Sequence, residues 1–159
     1  MQAMLATDSA AMPAPPLFLV VGAILVFSAI GWVISVVFEM PGEFGDLGDP
    51  DNVLAESVTR GTLLAAPLTT LIGLVVLSLL IWRGNRWLRS VGLLGMMILG
   101  VLFVVGNLGE PLDPEASDPP LALLLVWRAI GTGLSVSLAA LAAAALYRTL
   151  RPGSDLPAA

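Results

Sequence analysis

The sequence predicts an all-α integral membrane protein, a bundle of four transmembrane helices. Three observations carry that reading. Hydrophobic residues make up 57% of the 159 and charged residues only 12%, about half the charged share of a soluble domain; the mean hydropathy is +0.94. The apolar residues gather into four runs, each near the ~20 residues that cross a hydrocarbon core. None of the runs alternates with period two, which argues against a membrane β-barrel.

The first run, 17–38, carries no charge until Glu39. The stretch before it, "MQAMLATDSAAMPAPP", holds neither Arg nor Lys, so the positive segment of a cleaved signal peptide is missing. The run is therefore read as a mature helix behind a flexible tail, 1–16. The second run, 61–82, lies between Arg60 and Arg83. Pro67, in "AAPLTT", is expected to bend this helix, with Thr69 or Thr70 satisfying the freed backbone groups. The third run, 90–108, lies between Arg89 and Glu110, and the fourth, 121–147, is interrupted only by Arg128. The membrane domain is thus 17–148, followed by a disordered tail, 149–159.

The loops orient the bundle. Arg83, Arg86 and Arg89 flank or occupy the 84–90 turn, and Arg148 and Arg151 begin the C-terminal tail. Ten of the twelve acidic residues fall instead in the loops 39–59 and 109–120, which lack Arg and Lys. Positive-inside bias then puts the arginine turn and both termini in the cytoplasm of a plasma-membrane protein. Trp82, Trp87 and Tyr147 sit beside these arginines, where an aromatic belt belongs.

The two halves share an outline. Gly42-Glu43 is followed seventeen residues after the Glu by Arg60, and Gly109-Glu110 eighteen residues after the Glu by Arg128. Asp49-Pro50 and Asp118-Pro119 each read as a capped helix start. Two readings remain open: a parallel repeat of a helical hairpin, or two outer loops that independently carry Gly, Pro and acids where helices end.

Arg60 and Arg128 depart from the inner clustering of arginine. Arg60 has Glu56 one turn earlier, the favourable order for a helical ion pair. Arg128 has Leu124 there, and a charge near hydrocarbon is costly unless it snorkels or is paired. Glu39, Glu43 and Glu110 are the candidate partners across the hairpins. The competing reading is that Trp127 and Arg128 mark the outer interface, which leaves "LALLLV" as an apolar extension in need of a cover, either the 39–59 loop or another protein. For packing inside lipid, where close approach of small residues matters, the ridges are Gly131, Ser135, Ala139 and Ala143 in the fourth helix and Gly31 and Ser35 in the first. Gly92, Gly95 and Gly100 serve the third.

Chemistry is sparse. The chain has no Cys, no His and no Lys, which excludes disulfides, thiolate or imidazole metal sites, and lysine Schiff bases. Neither a phosphate-binding glycine loop nor a nucleophile with an adjacent base is present. The turn "WRGNRWLR" reads as a topology signal on anionic headgroups rather than a nucleic-acid site. The acidic loops have oxygens enough to attract a hard cation such as calcium, yet no EF-hand spacing orders them, so no metal and no cofactor is assigned. Small multidrug exporters also have four helices but use a mid-membrane Glu in the first, and 17–38 has none.

The resulting expectation is a small polytopic, non-enzymatic protein, an accessory or structural subunit of a membrane complex. The alternative is a small transporter or channel acting as an oligomer. The implied partners are the lipid bilayer and either another membrane protein or further copies of the chain, with no nucleic acid. If Arg128 is paired with an outer carboxylate, Arg128→Leu lowers the melting temperature in detergent; an unchanged value removes the pairing.

Overall fold

The computed structural model describes residues 15–38, 55, 58–59, 61–62, 64–109 and 121–151. Among these the architecture is helical without a strand, in four main helices: α1 (Pro15–Val37), α2 (Leu68–Arg83), α3 (Arg86–Gly109) and α4 (Leu121–Leu150). Three of them, α1, α3 and α4, at 23, 24 and 30 residues, are long and apolar enough to cross a membrane. The fourth, α2, has 16 residues, about 24 Å of helix against a hydrocarbon core of about 30 Å.

The short α2 corrects an expectation. The second run was expected to be helical over 61–82, with Pro67 as a bend inside it; the helix begins at Leu68, and Pro67 is its N-cap (φ −53°, ψ 140°). The reason is local. Proline has no N–H for a helical ladder and disfavours helical dihedrals in the residue before it. At the N-cap that missing donor is harmless, and the Pro67 carbonyl accepts the N–H groups of Thr70 (3.0 Å) and Leu71 (3.1 Å). Upstream, Gly61 has φ +83°, a conformation that glycine adopts freely. Thr62 and Ala65 then exchange both backbone hydrogen bonds, at 2.9 and 3.1 Å, in a tight turn.

The four helices form a ring in which α1 neighbours α2, α2 neighbours α3, α3 neighbours α4 and α4 neighbours α1, with no close approach across either diagonal among the described residues. The α3–α4 contact is the broadest. A link of only Gly84 and Asn85 makes α2 and α3 antiparallel. Gly84 donates its N–H to the Leu80 carbonyl at 2.9 Å, and the Asn85 side-chain oxygen caps α3 by accepting the Leu88 N–H at 3.0 Å. The α4 helix returns against α3, so that Arg86 donates to the Thr149 carbonyl (2.9 and 3.2 Å). Arg83, Arg86, Arg89, Arg148 and Arg151 accordingly share one end of the bundle.

The core joins all four helices through Leu17, Ile24, Leu74, Ile81, Met96 and Leu138. Its closest approaches use the glycines of α3. A Cβ on Gly92 would stand 2.8 Å from the Ile81 side chain, one on Gly95 2.8 Å from the Leu77 side chain, and one on Gly100 2.8 Å from the Ala139 backbone nitrogen. Gly92 and Gly95 thus admit α2, and Gly100 admits α4. Outward faces remain apolar, as at Leu19, Ile72, Val101 and Val136, which suits a chain whose solvent is lipid. Gly100→Leu is expected to force α3 and α4 apart and to cost about 1–3 kcal/mol, read as a lower melting temperature in detergent. Gly133→Ala, where a Cβ meets nothing within 4 Å, should leave that temperature unchanged or raise it.

Candidate functional site

Opposite the arginine end, the turn before α2 folds back between α1 and α4. Leu64 is buried against Leu124, Ile34 and Trp127. Its carbonyl sits directly on Gly31 of α1, where any side chain would collide with it. The same carbonyl accepts a hydrogen bond from the Trp127 indole Nε1 of α4, at 2.8 Å. One turn along α1, the fully buried Ser35 donates its hydroxyl to Thr62 Oγ1 at 2.8 Å. Trp127 also stacks on Phe27 of α1, with ring centroids 3.9 Å apart and an interplanar angle of 21°. Two helices therefore hold the non-helical turn by two side-chain hydrogen bonds and a close backbone contact.

Beneath this turn lies a cleft of approximately 340 Å³. It opens because α2 starts late. Where a longer helix would have filled the space, the chain passes along one wall as Thr62, Ala65 and Pro67, and α1, α3 and α4 supply the others. The walls are mostly apolar and aromatic, with Phe27, Phe103, Leu134 and Trp127 among them. The polar groups are neutral. Ser28 is only 5% exposed, and its hydroxyl makes no hydrogen bond among the described residues. Thr70 and Asn107 also present side-chain hydrogen-bonding groups to the cleft. Asn107 lies against Gly131, its amide 3.4–3.5 Å from where a Cβ would stand. Ser135 donates to the Gly131 carbonyl at 2.7 Å. Nearby on α4, the buried Thr132 hydroxyl oxygen has no partner among the described residues.

The residues singled out from sequence are distributed unevenly about this site. Gly131 and Ser135 are buried on α4 and line the cleft. Ala139 is the contact point for Gly100, and Ala143 is half-buried. Below Ser135 the buried line runs to Leu138 and Ala142, since a ridge of four-residue steps drifts away from a 3.6-residue turn. Gly31 and Ser35 receive the turn of residues 62–65 rather than another helix. Arg128 is half-buried beside Trp127 and is engaged by a contact. Glu39, Glu43, Glu56, Arg60 and Glu110 lie outside the described residues, as do Asp49-Pro50 and Asp118-Pro119. The return arms of the two hairpins are unlike: α4 runs unbroken from Leu121 through Arg128 and on to Leu150, whereas the described residues just after position 60, 61–62 and 64–67, are not helical.

Ser28, Thr62 and Asn107 did not stand out in the sequence, and Thr70 did so only as a candidate to satisfy backbone groups freed by Pro67. A signal was available for some of them. Ser28, Gly31 and Ser35 recur at helical spacing on one face of the first run, and Asn107 is the only carboxamide in the third. No group of His, Cys, Asp or Glu suited to a metal ion occurs among the described residues. Compared with known protein families, characterised proteins and solved structures, the chain matches none.

The turn's attachments can be weighed separately. Ser35→Ala removes the donor and leaves the Thr62 hydroxyl unanswered, at about 1–2 kcal/mol. Ser35→Ala combined with Thr62→Val should recover part of that loss, because neither polar partner is then left behind. Equal melting temperatures for all three proteins in detergent would mean that the bond contributes nothing.

Proposed function

We propose that this chain is a multi-pass plasma-membrane protein with both termini cytoplasmic, and that it acts without catalysis as an accessory or structural subunit of a membrane complex. The orientation is supported by the five arginines at one end and by the exposed Trp82, Trp87 and Tyr147 beside them, the arrangement of an inner interface. All four apolar runs cross in this reading. The short α2 completes its passage through the turn at 61–67, and backbone without helical bonds is tolerated at membrane depth where protein buries it.

The observation that carries the subunit role is an apolar prominence at the far end. Counting ~20 residues along α4 from Tyr147 brings the outer interface to Trp127 and Arg128. Gly31 of α1 is level with Trp127, so the last turns of α1 and the first turns of α4 project together beyond it. Val37 is 68% exposed, Leu125 50% and Val126 57%. Apolar surface placed outside hydrocarbon favours a protein cover. A photo-crosslinking residue at Val126, activated in native membranes, is expected to give one discrete protein adduct, while the same residue at Val76 on α2 labels lipid. Lipid labelling alone at both positions would exclude the subunit role.

The cleft favours a second reading, a small transporter or channel working as an oligomer. The neutral lining counts against ion coupling, which ordinarily uses an intramembrane charge. Substrate-dependent flux in proteoliposomes of the purified protein would support this alternative.

A further inference from the structure

We infer that the cleft beneath the 62–65 turn is a binding site for an uncharged amphiphile that presents a carbonyl oxygen as hydrogen-bond acceptor, an ester lipid or a quinone being the two sources of that chemistry. The volume, approximately 340 Å³, lies in the range of small-molecule sites, which are apolar cavities with a few placed polar groups. The polar groups here, hydroxyls and one carboxamide, can each donate to an acceptor. Ser28 as a residue is 5% exposed and lines the cleft, and its hydroxyl makes no hydrogen bond among the described residues. A hydroxyl facing a largely apolar cleft without a protein partner is answered by a bound hydrogen-bonding group.

Three further features point the same way. Pro67 and Thr70 place the start of α2 on the cleft wall, and that start has no side-chain cap. The positive end of the helix dipole then favours an electron-rich oxygen. On the opposite wall, Asn107 holds its amide over Gly131. The stacked pair Phe27 and Trp127, with Phe103, offers flat apolar surface to a ring or a chain. The described lining holds no cation, so a carboxylate or phosphate would enter without a countercharge, and an uncharged carbonyl is the better match. The inference stands apart from the subunit proposal, since the cleft faces inward between helices and a partner on the prominence leaves it unchanged.

Trp127 supplies the readout. With Trp32→Phe, Trp82→Phe and Trp87→Phe it becomes the sole tryptophan, and the detergent-purified protein can be titrated with an alkyl benzoquinone and, separately, with a diacylglycerol carrying brominated chains. Both probes quench indole fluorescence on contact. Saturable quenching by one probe is expected and identifies the source. Ser28→Ala and Asn107→Leu, on different helices, should each weaken binding about tenfold, while Ser28→Thr, which keeps the hydroxyl, should retain it. Quenching that rises without saturation for both probes would overturn the site. So would saturable quenching that neither Ser28→Ala nor Asn107→Leu alters, because it would then arise elsewhere on the protein.

Discussion

A backbone in lipid must satisfy its own hydrogen bonds, and Pro67 has none to donate. Much of the cleft end of the bundle answers to that constraint. The helix waits until Leu68 to begin, and the seven residues before it need other partners. Thr62 and Ala65 bond each other, Trp127 answers the Leu64 carbonyl, and Ser35 answers the Thr62 hydroxyl. Gly31 is small because a carbonyl rests on it. The cleft is the space that remains when a turn replaces the first two turns of a helix.

The arginine end follows a different rule. There the helices are regular, the link is two residues long, and Gly92, Gly95 and Gly100 bring backbones together. Arginine side chains reach carbonyls at helix ends, as Arg86 does at Thr149 and Arg89 at Ile81, complementing the negative ends of α4 and α2. One end thus coheres through close packing and the other through a few directional bonds. Those bonds are shielded from competing water by the helices around them, since Ser35, Thr62 and Leu64 are all buried.

The helical class and three of the spans were legible because composition and run length act over some twenty residues at a time, and no local detail can hide them. The second span was legible as an apolar run but not as a shorter helix. Pro67 was noticed and expected to bend a helix, since the sequence alone does not say whether a proline sits inside one or begins it; Gly61 at positive φ decides the matter only once its dihedral is known. The cleft was not legible. Ser28 and Asn107 are ordinary neutral residues within apolar runs, and what distinguishes them is a shared void created by a turn distant in sequence from both. Trp127 read naturally as an interface marker, and nothing in its neighbours in sequence reveals the carbonyl it serves.

The turn at 62–65 is tied to α1 by Ser35 and to α4 by Trp127, and these two helices also meet each other directly through the Phe27–Trp127 stack. Spreading α1 from α4 at this end therefore breaks the stack and at least one tie together, and the broken tie leaves a buried polar group without its partner. The stack and the two ties therefore join α1, α4 and the turn into one interdependent unit at this end, whereas the glycine contacts at the other end act pair by pair.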